Sequence, residues 1–285
     1  MSSGRSLRIG LCQWNATRDI DSNVSKAITA IAECAAGGAQ VVLIPENGLM
    51  LGSNAEMRAA AFRVGGVHIR RISAAAREHG VVLVLGGLKH ESAEGVHNSA
   101  LVIGRDGEVG ARYDKIHLFD AVIDGQSFEA SNVELPGDRP VMVTVDGVNV
   151  GLTICYDLRF PELYRQLALS GSEVIVVPAA FTRTTGKAHW EVLLRARAIE
   201  NACFVVASAT VHSEDPADDA FETYGHAMVV DPWGTVLANL GDASFACQVV
   251  HLDLDQVTAV RRKLPVLRGV RPEAYLSDVA NPNIA

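Results

Sequence analysis

Short apolar runs alternate along the chain with longer segments in which apolar positions recur at helical spacing, and glycine or proline marks the joints. Residues 7 to 14 predict a strand, 22 to 36 a helix opened by Asp21 or Ser22, and Gln40 to Ile44 a buried strand stopped by Pro45. A helix over 55 to 78 leads to a strand at Val81 to Leu85. Asn98 to Ile103 and Glu108 to Tyr113 predict a hairpin, because the intervening Asp106-Gly107 readily takes the backbone conformation of a tight turn.

The second half repeats the style. It predicts a hairpin through Asp146-Gly147, a strand to Ile154, a helix to about Ser170, and a strand from Glu173 to Val177 ended by Pro178. Helix 187 to 201 precedes strand Cys203 to Ser208. His226 to Val230 pairs with Val236 to Asn239 across Asp231-Pro232-Trp233-Gly234, before a strand into Asp253 and a short helix. Residues 212 to 224, with several acidic side chains, read as a long mobile loop. The alternation is that of an α/β protein, and the lack of a linker or repeat makes residues 1–285 a single domain.

Composition narrows the partners. A net charge of -8 gives no electrostatic reason to bind nucleic acid or an anionic membrane. No apolar run approaches a membrane span, and the polar start lacks the apolar stretch of a signal peptide, so the chain reads as cytosolic. The five cysteines show no C-x-x-C spacing, and the nine histidines no H-E-x-x-H, so neither a disulfide framework nor a metal site is suggested.

Three segments end apolar strands on reactive side chains, where α/β sheets commonly expose their active sites. Val41-Val42-Leu43-Ile44-Pro45-Glu46 delivers a carboxylate suited to a general base, or to a solvated loop. Tyr113-Asp114-Lys115-Ile116-His117 offers Lys115 to an oxyanion, although a surface ion pair would use the same residue, and His117 is a rival base. Gly151-Leu152-Thr153-Ile154-Cys155-Tyr156-Asp157-Leu158-Arg159-Phe160-Pro161-Glu162 places a cysteine at a strand-to-helix elbow. There, backbone N–H groups favour a thiolate and an oxyanion. Cys12 and Cys203, inside apolar strands, fit a packing role.

Together these segments resemble the nitrilase (carbon-nitrogen hydrolase) superfamily, with its Glu, Lys and Cys in that order. The likeness extends to Pro178-Ala179-Ala180-Phe181, His189-Trp190-Glu191, Arg195-Ala196-Arg197-Ala198-Ile199-Glu200 and Gly225-His226-Ala227-Met228. It implies a four-layer αββα sandwich, homodimers or larger homo-oligomers, and a mechanism without metal or organic cofactor. Cys155 would be the nucleophile, Glu46 the proton shuttle, and Lys115 with the Tyr156 N–H the oxyanion holders, leaving His117 a structural role. A second carboxylate usually stands directly before a serine, where this chain has Ala130. Glu129 is expected to fill the role if the loop shifts by one residue, with Glu134 or Asp124 as substitutes.

The segment around Cys155 most resembles the omega-amidase and deaminated-glutathione amidase branch, which implies a small primary amide bearing a carboxylate as substrate. Phe181, Thr182 and Arg183 are the expected substrate-binding residues, Arg183 as carboxylate clamp, with Thr184, Thr185, Lys187 and His189 behind them. N-carbamoyl compounds and aliphatic nitriles are the rival substrates. A noncatalytic member of the fold and a cysteine-dependent transferase or redox protein are the readings from other classes.

Overall fold

The computed structural model describes residues 4–213 and 219–275. The first half runs β1 (Ser6–Trp14), α1 (Ile20–Ala36), β2 (Val41–Ile44), α2 (Asn54–Ala59), α3 (Val67–His79), β3 (Val82–Glu91), β4 (Val96–Ile103), β5 (Val109–Asp114), β6 (Asp120–Ile123) and β7 (Gln126–Glu129). The second runs β8 (Val141–Val145), β9 (Val148–Leu152), α4 (Pro161–Leu169), β10 (Val174–Val176), α5 (Arg183–Asn201), β11 (Phe204–Ala207), β12 (Ala209–Thr210), β13 (Met228–Val230), β14 (Val236–Asn239), β15 (Phe245–Asp253), α6 (Asp255–Lys263) and α7 (Pro272–Tyr275).

One sheet has the order β12-β1-β2-β3-β4-β5, with β15 antiparallel along the whole of β1; the other has the order β14-β13-β11-β10-β9-β8. Because successive side chains leave opposite faces of a strand, each central strand serves two layers. Val41 and Leu43 of β2 pack toward the second sheet, whereas Val42 and Ile44 pack under α1 and α3. On the far side α4 and α5 cover the second sheet with Leu163, Leu167, Trp190 and Leu194. Helix, sheet, sheet, helix is the expected αββα order. Burying each of these large apolar side chains contributes roughly 1.5–3 kcal/mol, which is why the layers hold together. No helix among the described residues is long and apolar enough to cross a membrane.

The structure departs from the sequence reading in several places, among them the start of α5, which opens at Arg183 rather than 187. The expected helix 55 to 78 is two helices, because Phe62 leaves the helical path to exchange backbone hydrogen bonds with Lys89 and Glu91 of β3, and Gly66 then caps α3. Helix α1 is opened earlier, by Asp19, whose carboxylate accepts from the Ser22 N–H at 3.0 Å. The β6–β7 hairpin was not expected. Of its eight strand residues only Phe128 is buried, so the pattern carries little apolar alternation, although Asp124-Gly125 makes the same positive-φ turn as Asp146-Gly147. Part of the expected loop at 212 to 224, residues 214–218, lies outside the described residues.

Candidate active site

Glu46 leaves β2 through Pro45, and β3 makes room for it. The β3–β4 register shifts between Leu85 and Leu88, at Gly86-Gly87. Gly87 has φ of 61°, and a Cβ there would meet the Glu46 side chain at 2.4 Å, so only glycine lets the two strands carry this carboxylate inward. The Gly87 carbonyl then accepts from the Asn47 N–H at 2.7 Å.

Cys155 follows β9 with φ of 47°, a left-handed conformation that costs an L-residue energy. Its N–H donates to the Pro178 carbonyl at 2.9 Å, and a tight 3-10 turn over Cys155–Arg159 precedes α4. Asp157 holds that elbow. Its wholly buried carboxylate accepts from the Tyr113 hydroxyl at 2.7 Å, the Ile154 N–H at 2.9 Å, and the His117 N–H and Nδ1 at 3.1 and 2.7 Å. His117 also stacks on Phe160, with ring centroids 3.6 Å apart. It is thus part of the frame around the elbow, bonded to Asp157.

The strand ends converge on one small cavity of about 50 Å³, lined among others by Glu46, Lys89, Asn98, Lys115, Glu134 and Cys155. Glu46 Oε1 accepts from Lys115 Nζ at 2.9 Å and from Asn98 Nδ2 at 2.9 Å, while Oε2 accepts from the Ala180 N–H at 2.9 Å. Lys89 Nζ donates to Glu134 Oε2 at 2.6 Å, a second ion pair as buried as the first. Two cations and two carboxylates, all buried, therefore lie side by side, where unpaired charges would be costly.

The protonation states follow. Burial pushes the Glu46 carboxyl up, but Lys115, a hydrogen bond with Cys155 and Lys89 together hold it below its ordinary value. Burial pulls the Lys115 ammonium down, and the charges of Glu46 and Glu134, with the hydrogen bond to Glu46, more than reverse this, leaving it well above the usual lysine value. Burial and the Glu46 charge push the Cys155 thiol well up, against the opposing Lys115. At rest the site holds carboxylate, ammonium and neutral thiol, so sulfur must lose its proton as it attacks.

The structure brings Glu46, Lys115 and Cys155 together but leaves Glu129 outside. Strand β7 alternates, turning Phe128 inward and Ser127 and Glu129 to solvent, and the Glu129 carboxylate bonds Ser127 and Asn132. The loop does not shift; Ala130 itself lines the cavity. Asp124, at the hairpin tip, accepts from the Thr184 hydroxyl. Of the three carboxylates considered, Glu134 alone reaches the cluster. Tyr156 packs its ring against Phe119 at 5.0 Å.

Thr182, Arg183 and Thr184 line an adjoining cavity of about 210 Å³, which shares Phe128 and Phe221 with the first. Arg183 Nη1 lies 2.8 Å from His212 Nε2, and its Nε 4.0 Å from the exposed Glu222. Phe181 is buried against Trp190, with the Arg159 guanidinium over its ring at 5.2 Å from the centroid. Sequence reasoning missed Lys89 and Asn98. A lone lysine after the apolar β3 run was the available signal for the first, and the polar His97-Asn98-Ser99 opening an otherwise apolar β4 for the second.

The carbon-nitrogen hydrolase family profile matches residues 8–262. Human deaminated glutathione amidase is 38% identical over 279 residues, covering 94% of this chain and 83% of that protein. Human omega-amidase NIT2 is 35% identical over 283 residues, covering 97% and 99%. The crystal structure of the Caenorhabditis elegans NitFhit protein superposes with a TM-score of 0.86 at 34% identity, over 96% of this chain and 67% of that one. The profile spans both sheets and every residue of the buried cluster, and with these relatives it shows that the chain belongs to the carbon-nitrogen hydrolase family.

Proposed function

We propose that the protein hydrolyses a small primary amide bearing a carboxylate, through a thioester on Cys155. The observation that carries this reading is the Glu46 carboxylate, fixed by Lys115, Asn98 and the Ala180 N–H beside a neutral thiol at a strained elbow. Glu46 takes the S–H proton as Cys155 Sγ bonds to the amide carbon. The Lys115 ammonium and the Tyr156 N–H hold the resulting oxyanion. Collapse breaks the C–N bond, and Glu46 returns the proton to the departing nitrogen, releasing ammonia. Water then gives a proton to Glu46 and its oxygen to the thioester carbon. When the C–S bond breaks, the proton goes back to sulfur and the carboxylic acid leaves. All the proton transfers fall to protein side chains, without a cofactor. Glu134 takes the place of the second carboxylate, steadying Lys115 while Lys89 holds it.

The substrate class rests on the named relatives and on the adjoining cavity. A chain extending from Cys155 past Phe128 and Phe221 meets Thr182, Thr184 and Arg183, where a carboxylate would displace the loose Glu222 contact. The expected homodimer suits Val192 and Ile199, two turns apart on α5, and nearby Trp233, all large apolar side chains left exposed.

The test is ammonia release from carboxylated amides, N-carbamoyl compounds and aliphatic nitriles by wild type and Cys155→Ala. Release from a carboxylated amide by wild type alone is expected. Activity confined to carbamoyl compounds or nitriles would overturn the substrate while keeping the nucleophile.

A further inference from the structure

Cys12, Cys34 and Cys247 are far apart in sequence, but the fold gathers them in one place. Cys12 stands on the face of β1 that packs under α1, and Cys247 is its direct partner across the antiparallel β1–β15 pair. Cys34 descends from α1 onto the same spot. Gly10 makes this possible, since a Cβ there would lie 2.6 Å from Cys34 Sγ. Cys12 Sγ and Cys34 Sγ are 3.7 Å apart, and all three sulfurs lie within 4.8 Å of one another. No disulfide joins them: all are free thiols, and an S–S bond measures about 2.05 Å.

Three sulfurs each about 2.3 Å from one ion stand roughly 3.8–4.0 Å apart, so adjustments within about 1 Å would close the triangle. Cys12 and Cys34 are buried, whereas Cys247 is half-buried on β15 and gives the approach from solvent. Nothing in the hydrolytic site uses any of these residues.

We propose that Cys12, Cys34 and Cys247 form a binding site for one thiophilic d10 cation, the class of Cu(I), Zn(II) and Cd(II), with solvent as a fourth ligand for ions that prefer four. Binding forms up to three metal–sulfur bonds and releases the three thiol protons to solvent, with no change of oxidation state, so affinity rises with pH. The ion would tie β1, α1 and β15 together.

The experiment uses Cys155→Ala protein, so that the catalytic thiol is not a competing ligand, and Cd(II) as the probe. Equilibrium dialysis should give one equivalent per chain, accompanied by an ultraviolet thiolate-to-cadmium charge-transfer band and a raised melting temperature. Adding Cys34→Ala should abolish the band. Adding Cys247→Ala, a change at a half-buried position that keeps the reading available if the first variant does not fold, should weaken binding strongly. Absence of a saturable equivalent in the folded protein, a band that survives loss of Cys34, or an affinity undiminished by loss of Cys247 in folded variants, would overturn the site.

Discussion

Cys155, just past the end of β9, and Cys12, inside β1, are both buried, yet their surroundings assign them opposite chemistry. Cys155 faces a carboxylate and an ammonium at an elbow where the chain leaves β9 with positive φ. Cys12 lies within the regular β1–β15 ladder and faces two other thiols beneath a helix. The first thiol has a base to take its proton and a cation to receive the charge that develops on a substrate. The second has only more sulfur, which favours a shared cation over an acyl group. Burial alone does not distinguish a nucleophile from a ligand; the neighbouring charges do.

The sharpest way to break this comparison is to exchange the losses. Cys155→Ala should reduce ammonia release to background, a fall on the order of 10³-fold or more. Cys34→Ala should leave kcat within about twofold, since no step involves it. Steady-state assays on both folded variants check this, and equal losses would erase the distinction. Next in size, Glu46→Gln keeps a hydrogen-bonding side chain but cannot shuttle protons, so kcat should fall by about 10²–10⁴-fold. A Glu46→Gln enzyme retaining most of its kcat would remove the base from the proposed mechanism.

The Lys89–Glu134 pair sharpens the comparison from the stability side. Lys89→Met leaves a buried carboxylate with only the more distant Lys115 for company, and should cost about 3 kcal/mol in urea unfolding. The double variant Lys89→Met/Glu134→Leu removes both charges and should recover much of that loss. It should not recover activity if Glu134 steadies Lys115. Full recovery of kcat would make the pair a packing feature alone.

How much of this was legible in the sequence depends on whether a local pattern or a distant contact made the feature. Glu46, Lys115 and Cys155 each end a recognisable strand, and the sandwich follows from alternating elements with the resemblance. Glu129 was expected in the pocket from the resemblance, on condition that the loop shifts by one residue to bring it where Ala130 stands. Strand β7 instead keeps its alternation through Phe128 and sends Glu129 outward. Glu134 was named as a substitute, but the contact that brings it to the site is its pairing with Lys89, 45 residues earlier, and no local pattern reports that. The thiol cluster was invisible for the same reason. Cys12, Cys34 and Cys247 share no spacing motif, and only the β1–β15 register and the missing side chain at Gly10 bring them together.

The smallest expected effect lies in the pH dependence, and it tests which charges hold Glu46 ready. A carboxyl kept below its ordinary value by neighbouring cations stays ionised until the pH falls through that lowered value, and only then loses both its role as a base and its ion-pair contribution to stability. The acid limb of kcat/KM should therefore lie below the ordinary glutamate range of about 4.3, with no alkaline limb from Lys115 or Cys155 near neutrality, because both are held well above their usual values. Lys89 is one of the charges that lower Glu46, although it makes no hydrogen bond to it. In Lys89→Met the residual activity should show its acid limb moved upward, since burial then acts on Glu46 with less opposition. A wild-type limb near pH 6 would mean that burial outweighs the cations. An unmoved limb in the variant would mean that Lys115 and the Ala180 N–H fix the base by themselves, leaving Lys89 to act solely through Glu134.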